Sequence, residues 1–376
     1  MLFTSQRMKK YLLILVTIIP LCACLTSDRV IKKSNFSIKQ VSFSALKNWD
    51  QDQHLLALKA FVNSCKSFSL MYDYQEIGGK IAKIQIADLK EICDIATIIK
   101  DMDEKYAKIF FENWFVPFQV SDNDNKSQGL FTGYFEINLS GSRVKTGRYK
   151  YPIYSRPKDL GKDLYYSRKD IDNGAISGEN LELLYVDDPV ELFLLHIQGS
   201  GSVTLRDDKI VKIGYNGSNN MPYTSISKYF INNKIFSADE ISATTITNWL
   251  SENQQQANAV MHLNESYIFF KLLDSDKIKG ALGAPLTPER SLAIDKSIIP
   301  LGLPIYIDTK VTRADSSKET YRRLMVAQDT GSAIKGAIRG DIFFGASQRA
   351  RDLASNTKNY GKYYILLPAN IISKIK

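Results

Sequence analysis

Three aspartates in the last quarter of the chain stand where apolar runs begin or end. Asp295 closes Ser291-Leu-Ala-Ile-Asp295, Asp329 closes Met325-Val-Ala-Gln-Asp329, and Asp341 opens Asp341-Ile-Phe-Phe. Between Asp329 and Asp341 lies Thr330-Gly-Ser-Ala-Ile-Lys335-Gly336-Ala-Ile-Arg339-Gly340, whose three glycines permit backbone turns that other residues resist. The two carboxylates are therefore expected to face each other across one loop. A carboxyl group beside another, and partly screened from water, keeps its proton to higher pH. A general acid working near neutrality needs that property. Lys335 and Arg339 oppose the shift wherever they point inward. An aspartate next to glycine often serves only a turn; three framed alike tip the reading toward chemistry. The histidines, His54, His196 and His262, are scattered without ligand spacing, so neither a metal site nor another cofactor is expected.

The elements that must position these groups begin after an export signal. Arg7, Lys9 and Lys10 precede an apolar run of eleven residues, Tyr11 to Leu21, too short for a permanent bilayer span. The run ends in Leu21-Cys22-Ala23-Cys24, which resembles a bacterial lipobox. That resemblance implies a signal peptide over 1–23 and lipidation at Cys24; ordinary cleavage after Ala23 is the alternative. A diacylated, N-acylated cysteine suffices for stable anchoring. Leu25, rather than Asp, after the cysteine favours the periplasmic face of the outer membrane under enteric-type sorting. Thr26 to Gln40 is polar and reads as part of a tether over 24–44. Cys65 and Cys93 then remain in an oxidising compartment, as one disulfide or as two separate thiols.

The chain carries 49 Lys and Arg against 40 Asp and Glu, and loss of the signal leaves a net charge of about +6. The basic residues are spread rather than clustered, and export argues against nucleic acid as partner. An anionic polymer such as peptidoglycan fits; general solubility accounts for the charge equally well.

Helical periodicity runs over Ala45 to Val62 and Ala87 to Ile109, giving an N-terminal helical layer. Ser121 to Gln128 is a loop by composition and a candidate boundary. Short β-branched or aromatic runs follow: Leu130 to Ile137, Tyr151 to Tyr154, Leu192 to Ile197, Val203 to Leu205 and Val211 to Tyr215. Ile241 to Leu250 and Gln254 to His262 read as helices. Strand texture returns over Tyr267 to Phe270, Ile305 to Ile307, Leu324 to Ala327, Ile342 to Phe344 and Tyr363 to Leu367, with one short helix at Ala346 to Ala354.

The segments Arg290 to Gly302, Asp329 to Gly336 and Gly340 to Gly345 resemble the three-aspartate (3D) domain that closes the membrane-bound lytic murein transglycosylase A (MltA) family. Thr132-Gly133-Tyr134-Phe135, Tyr151 to Tyr154, Leu195-His-Ile-Gln198-Gly199-Ser200-Gly201, Asn264 to Lys271 and Gly361 to Pro368 match the rest of the family pattern, over about 45–368. Two departures, Phe135 for a second Tyr and Ser332 for a second Gly, remove no carboxylate. The resemblance implies a mainly β fold with a helical N-terminal layer. A double-psi β-barrel would form from 45–132 and 266–376, a second β domain would be inserted over 133–265, and a groove would lie between them. It implies a peptidoglycan lytic exotransglycosylase that cuts the MurNAc-β-1,4-GlcNAc bond and leaves 1,6-anhydro-MurNAc. Asp341 would be the acid and then the base, with Asp329 and Asp295 in support. Tyr134, Gln198, Gly199, Ser200, Gly201 and Lys335 would contact sugar. Glycan strands, the membrane through the lipid anchor, and cell-wall synthesis proteins are the partners implied.

Two rivals come from the same residues. Asp329-Thr330-Gly331 is also the signature of aspartic proteases, which need a symmetric pair of such motifs; the chain has one. A catalytically inactive peptidoglycan-binding lipoprotein is the other, and retention of all three aspartates speaks against it.

Overall fold

Phe36 and Ile38 alternate with more exposed neighbours, and both are buried, because their strand is paired on both sides within a large sheet and turns this face to the core. The structure is a computed structural model that describes residues 29–161, 163–237 and 240–375. Cys24 and the expected signal segment lie outside these residues. The tether expectation fails from Val30 onward. Strands β1 (Val30–Lys32) and β2 (Phe36–Gln40) pair with each other, and β2 pairs with β3 (Phe115–Asp122). Polar composition hid a strand whose inward positions are Ile31, Phe36 and Ile38.

Between β2 and β3 come three helices: α1 (His54–Phe68), α2 (Ile86–Ile99) and α3 (Glu104–Trp114). The expected helix from Ala45 starts only at His54, after two short 3-10 turns. The expected helix from Ala87 to Ile109 divides, because a turn over residues 100–103 precedes a new start at Glu104. Cys65 of α1 and Cys93 of α2 form a disulfide.

The next strand, β4 (Gly129–Tyr134), is joined to β3 by the loop expected at Ser121 to Gln128. That loop is not a boundary, since both strands pair with the C-terminal strand. The expected run Leu130 to Ile137 is two strands in two sheets, broken at Phe135-Glu136, where the chain crosses into β5 (Ile137–Ser142). There follow β6 (Tyr151–Tyr154), α4 (Arg168–Asp172), β7 (Glu182–Val186) and α5 (Pro189–Gln198). Next come β8 (Ser200–Leu205), β9 (Ile210–Ser218), α6 (Ser227–Asn232), α7 (Ala243–Glu252), α8 (Gln254–Met261) and β10 (Ile268–Leu272). Strands β5 to β10 make a six-stranded sheet in the order β10-β9-β8-β5-β7-β6. β10 belongs to this sheet, so the chain leaves it after Leu272, later than the expected limit at 265.

The expected strand Leu192 to Ile197 is helix α5. Asp188 caps it through its carboxylate, which accepts the N–H groups of Val190 and Glu191; Pro189 opens it and Gly199 ends it at φ 77°. A short apolar run buried on all sides looks the same in sequence as strand or helix.

The chain then returns through β11 (Ser291–Ala293), β12 (Pro304–Thr312), β13 (Lys318–Asp329), β14 (Gly340–Phe343), α9 (Gln348–Asn356) and β15 (Lys358–Pro368). Strands β15, β12, β13, β11, β14 and β4 follow one another, and β15 also pairs with β4, which closes a six-stranded barrel. The β11–β13 and β14–β4 pairs are parallel. The fold is the expected double-psi barrel with a second β unit inserted. Close packing fixes its seams: a Cβ on Gly133 would fall 2.4 Å from the Phe344 ring and 2.8 Å from Cα of Ala354 in α9.

The helical layer is riveted to the barrel by one ion pair. Arg290, 1% exposed, donates to both carboxylate oxygens of Asp52 at 2.9 and 3.0 Å and to the Leu324 carbonyl at 2.8 Å. Asp52 in turn accepts the Leu324 N–H at 2.6 Å. Breaking a buried pair strands a charge away from water. Asp52→Ala is expected to lower unfolding stability by about 3–5 kcal/mol, read as a lower urea midpoint with an unchanged slope.

Candidate active site

Ala293 of β11 pairs with Asp341 of β14 on one side and with Asp329 of β13 on the other. Residues paired across neighbouring strands project to the same face, and two strand spacings separate the aspartates by roughly 10 Å at the backbone. Only the methyl group of Ala293 stands between the two aspartates on their common strand neighbour. Thr132 pairs with Asp341, and Tyr134 with Phe343, on this same face. The opposite face, with Phe131, Leu292, Ala327 and Ile342, is the barrel interior. Beneath the carboxylates Tyr134, Ile278, Leu286, Ala293 and Phe343 form a small apolar cluster of their own.

Asp341 is half-buried. Its Oδ1 accepts the hydroxyl of Thr132 at 2.5 Å. Arg339 stands one step further away: it donates to the Thr132 hydroxyl oxygen at 2.8 Å and to the Gly340 carbonyl at 2.6 Å. No ion pair among the described residues engages Asp341 directly. Burial therefore holds its carboxyl above the usual range, against the opposing pull of the Arg339 charge and the Thr132 hydrogen bond. Burial in turn lowers the Arg339 guanidinium.

Asp329 accepts three donors: the Tyr134 hydroxyl at 2.9 Å, and the N–H groups of Ala281 at 3.0 Å and Thr330 at 2.9 Å. Burial raises its pKa, the nearby Asp341 charge adds to this, and the three hydrogen bonds oppose it. Donors stabilise the ionised form, and Asp329 has three to the one on Asp341.

Asp295 is elsewhere. It accepts the Ser297 hydroxyl at 2.6 Å, the Ser297 N–H at 3.0 Å and the Gly336 N–H at 2.9 Å. Burial acts to raise its pKa, yet these hydrogen bonds and the Lys335 charge leave it lowered. Its contact with Gly336 clamps the loop joining Asp329 to Asp341. Lys335 is exposed on that loop and makes no contact with the other two aspartates.

The ring of Tyr134 is buried against Phe343, with centroids 5.2 Å apart, so it has no free face for a sugar. In place of the sugar contact expected of it, Tyr134 orients Asp329 through its hydroxyl. Gln198 accepts the Phe135 N–H at 3.3 Å, where the chain crosses between sheets. Gly199 ends α5, half-buried Ser200 opens β8, and a Cβ on Gly201 would fall 2.7 Å from the Ile137 carbonyl. These four residues build the junction between the two sheets. Sequence reading missed Thr132 and the Ala281 N–H. Thr132 lies two residues before Tyr134, on the same face of one strand, and that period was the available signal. Among the described residues no group of three or more His, Cys, Asp or Glu is arranged to hold a metal ion.

Comparison with known proteins follows the same division of the chain. The MltA specific insert domain matches residues 130–271, and the 3D domain matches residues 290–367. Membrane-bound lytic murein transglycosylase A of Vibrio cholerae is 33% identical over 252 residues, 66% of this chain and 68% of that protein. The protein of the same name from Escherichia coli K12 is 30% identical, over 67% of this chain and 69% of its own length. The crystal structure of a membrane-bound lytic murein transglycosylase from Agrobacterium tumefaciens covers 90% of this chain and 99% of its own, at 29% identity and a TM-score of 0.80. MltA from Neisseria gonorrhoeae, in a monoclinic crystal form, covers 91% and 95% at 30% identity and a TM-score of 0.76.

A group whose folded pKa is raised costs stability once the unfolded chain ionises. For Asp341 and Asp329 that loss begins near the free aspartate value and is complete above their folded values. Asp341→Asn is therefore expected to raise the melting temperature at pH 7 and to leave it nearly unchanged at pH 3. A carbon-13 titration of the carboxyl groups should order Asp295 below free aspartate and Asp341 above it; the reverse order would overturn this assignment.

Proposed function

The chain belongs to the MltA family, and from that premise we propose that it is a lytic transglycosylase of peptidoglycan, with Asp341 as its single acid and base. The observation that carries the residue assignment is the half-buried carboxyl of Asp341, raised by burial and reached by Arg339 only through the Thr132 hydroxyl.

An ordinary glycosidase needs two carboxyl groups, one to protonate the leaving oxygen and one to attack or to activate water. Here one suffices because the nucleophile belongs to the substrate. The protonated Asp341 carboxyl gives its proton to the oxygen joining C1 of MurNAc to GlcNAc. The C1–O bond breaks and GlcNAc leaves with its hydroxyl restored. The Asp341 carboxylate then takes the proton of the C6 hydroxyl of the same MurNAc, whose oxygen closes on C1 to give the 1,6-anhydro sugar. Acid and base acts are sequential, so the residue ends protonated and ready to repeat. Holding the C6 hydroxyl within the substrate gives it a high effective concentration.

The cation-like sugar between the two steps calls for negative charge nearby. Asp329, with three donors stabilising its anion, fits that need better than Asp341 does. Thr132 orients the acid while its hydroxyl oxygen takes up the Arg339 charge. The pair then has unequal proton affinities set by unequal donors, as acid and stabiliser require.

Lipidation at Cys24 would anchor the enzyme at the periplasmic face of the outer membrane. Arg29 already donates to the carbonyls of Ile372, at 2.7 Å, and Ile375. Cys24 precedes Arg29 by five positions in the chain, so the two cannot stand more than about 17 Å apart. The barrel would work close to the membrane surface.

The test is mass analysis of muropeptides released from purified murein sacculi. Anhydro-ended products are expected; reducing-end products would mean hydrolysis, and no release would mean binding alone. Asp341→Asn is expected to cut release by at least about a thousandfold while keeping sacculus binding, and full activity of that variant removes Asp341 from the role. Above the Asp341 pKa the acid is ionised, so activity is expected to fall on the alkaline side. Arg339→Gln removes the charge that opposes burial at Asp341 and should move that limb upward.

A further inference from the structure

The disulfide between Cys65 and Cys93 closes a loop whose tip is the most exposed apolar segment of the N-terminal layer. Leu70 is 88% exposed, Tyr72 68% and Tyr74 71%. The rings of Tyr72 and Tyr74 are parallel to within 3°, with centroids 5.6 Å apart. Soluble proteins seldom present such a group of apolar side chains without a partner for it.

The loop beneath the rings is fixed. Asp73 accepts the Ala87 N–H at 3.0 Å through its carbonyl and pairs with Lys90 through its carboxylate at 3.1 Å. Gln75 accepts the Tyr72 N–H at 2.6 Å through its side chain and donates back to the Tyr72 carbonyl at 2.9 Å. Two helices, one disulfide and these hydrogen bonds hold the rings outward without the rings' own burial contributing. A preorganised aromatic surface loses little freedom when it binds.

Its position relative to the acid decides the occupant. A Cβ on Gly283 would lie 4.0 Å from the Ser67 hydroxyl at the end of α1, a few residues before Tyr72. Gly283 belongs to the segment whose Ala281 N–H holds Asp329 and whose Leu282 N–H reaches the Gln328 carbonyl. Gln328 also donates to Ser64 of α1 at 2.9 Å. Helix α1, which ends four residues before Tyr72, is thus packed beside the segment that holds Asp329.

We propose that Tyr72 and Tyr74 form a distal stacking platform for the glycan strand, several sugars away from the bond being cut. A pyranose ring presents apolar C–H faces and a polar rim, which suits an aromatic face with a hydroxyl at its edge. This rests on the reading of the chain as a peptidoglycan-cleaving enzyme. The platform explains how a long strand is retained while a single bond is presented to Asp341.

The test is co-sedimentation with purified murein sacculi, made in the Asp341→Asn background so that no cleavage intervenes. The double change Tyr72→Ala and Tyr74→Ala is expected to weaken binding about threefold to tenfold, and Tyr72→Phe with Tyr74→Phe to retain most of it. Both rings are exposed, so the melting temperature serves as the folding control. Sacculus binding unchanged in the alanine variant overturns the platform. So does a loss that appears only with lipid vesicles or as a change of oligomeric state. Absence of anhydro products from the parent protein would instead sink the cleavage reading, and the binding measurement would still decide this one.

Discussion

The burial of the Asp341 carboxyl beside a strand-held hydroxyl is the constraint on which the rest of the site turns. The carboxyl is screened from water by the cluster around Tyr134, Ala293 and Phe343, and that alone favours the neutral form. Arg339 could cancel the effect with a direct contact. It is kept one atom away because its guanidinium is spent on the Thr132 hydroxyl and the Gly340 carbonyl. The same hydroxyl then donates to Asp341. A small polar group between carboxyl and cation lets the charge temper the upward shift without a direct ion pair.

That arrangement depends on strand register. Ala293 is the common partner of Asp329 and Asp341, and Thr132 reaches Asp341 only through the parallel pairing of β4 with β14. A slip of one residue would send Asp341 into the barrel interior and Ile342 out. Closure of the barrel through β15 and β4 removes the freedom to slip. The Asp295–Gly336 contact fixes the loop between the two carboxylates. The second sheet is held against this frame by separate means: Glu136 donates its N–H to the Gly345 carbonyl at 2.8 Å, and Arg351 of α9 pairs with Glu191 of α5.

The three aspartates and most strands were legible in the chain because their signals are local. An aspartate at the edge of an apolar run reads directly as a strand end. The errors have a common physical origin. Leu192 to Ile197 was taken for a strand because an all-apolar run carries no period; Asp188, Pro189 and Gly199 were the caps that marked a helix. Residues 30–40 read as a tether because most of their side chains are polar and face water, while Ile31, Phe36 and Ile38 face the core. Tyr134 was taken for a sugar contact because its type suits one, but pairing beside Phe343 buries its ring.

The amino-acid sequence by itself determined the family, the fold class, the placing of the three aspartates at the ends of apolar runs and the absence of metal-ligand spacing among the histidines, since each is written in residue types and short distances along the chain. Only the tertiary structure decided that Cys65 meets Cys93, that Asp295 stands apart from the other two aspartates, and that Thr132 separates Asp341 from Arg339. Those facts join residues as far as 209 positions apart. They follow from barrel closure and packing, which no local pattern encodes.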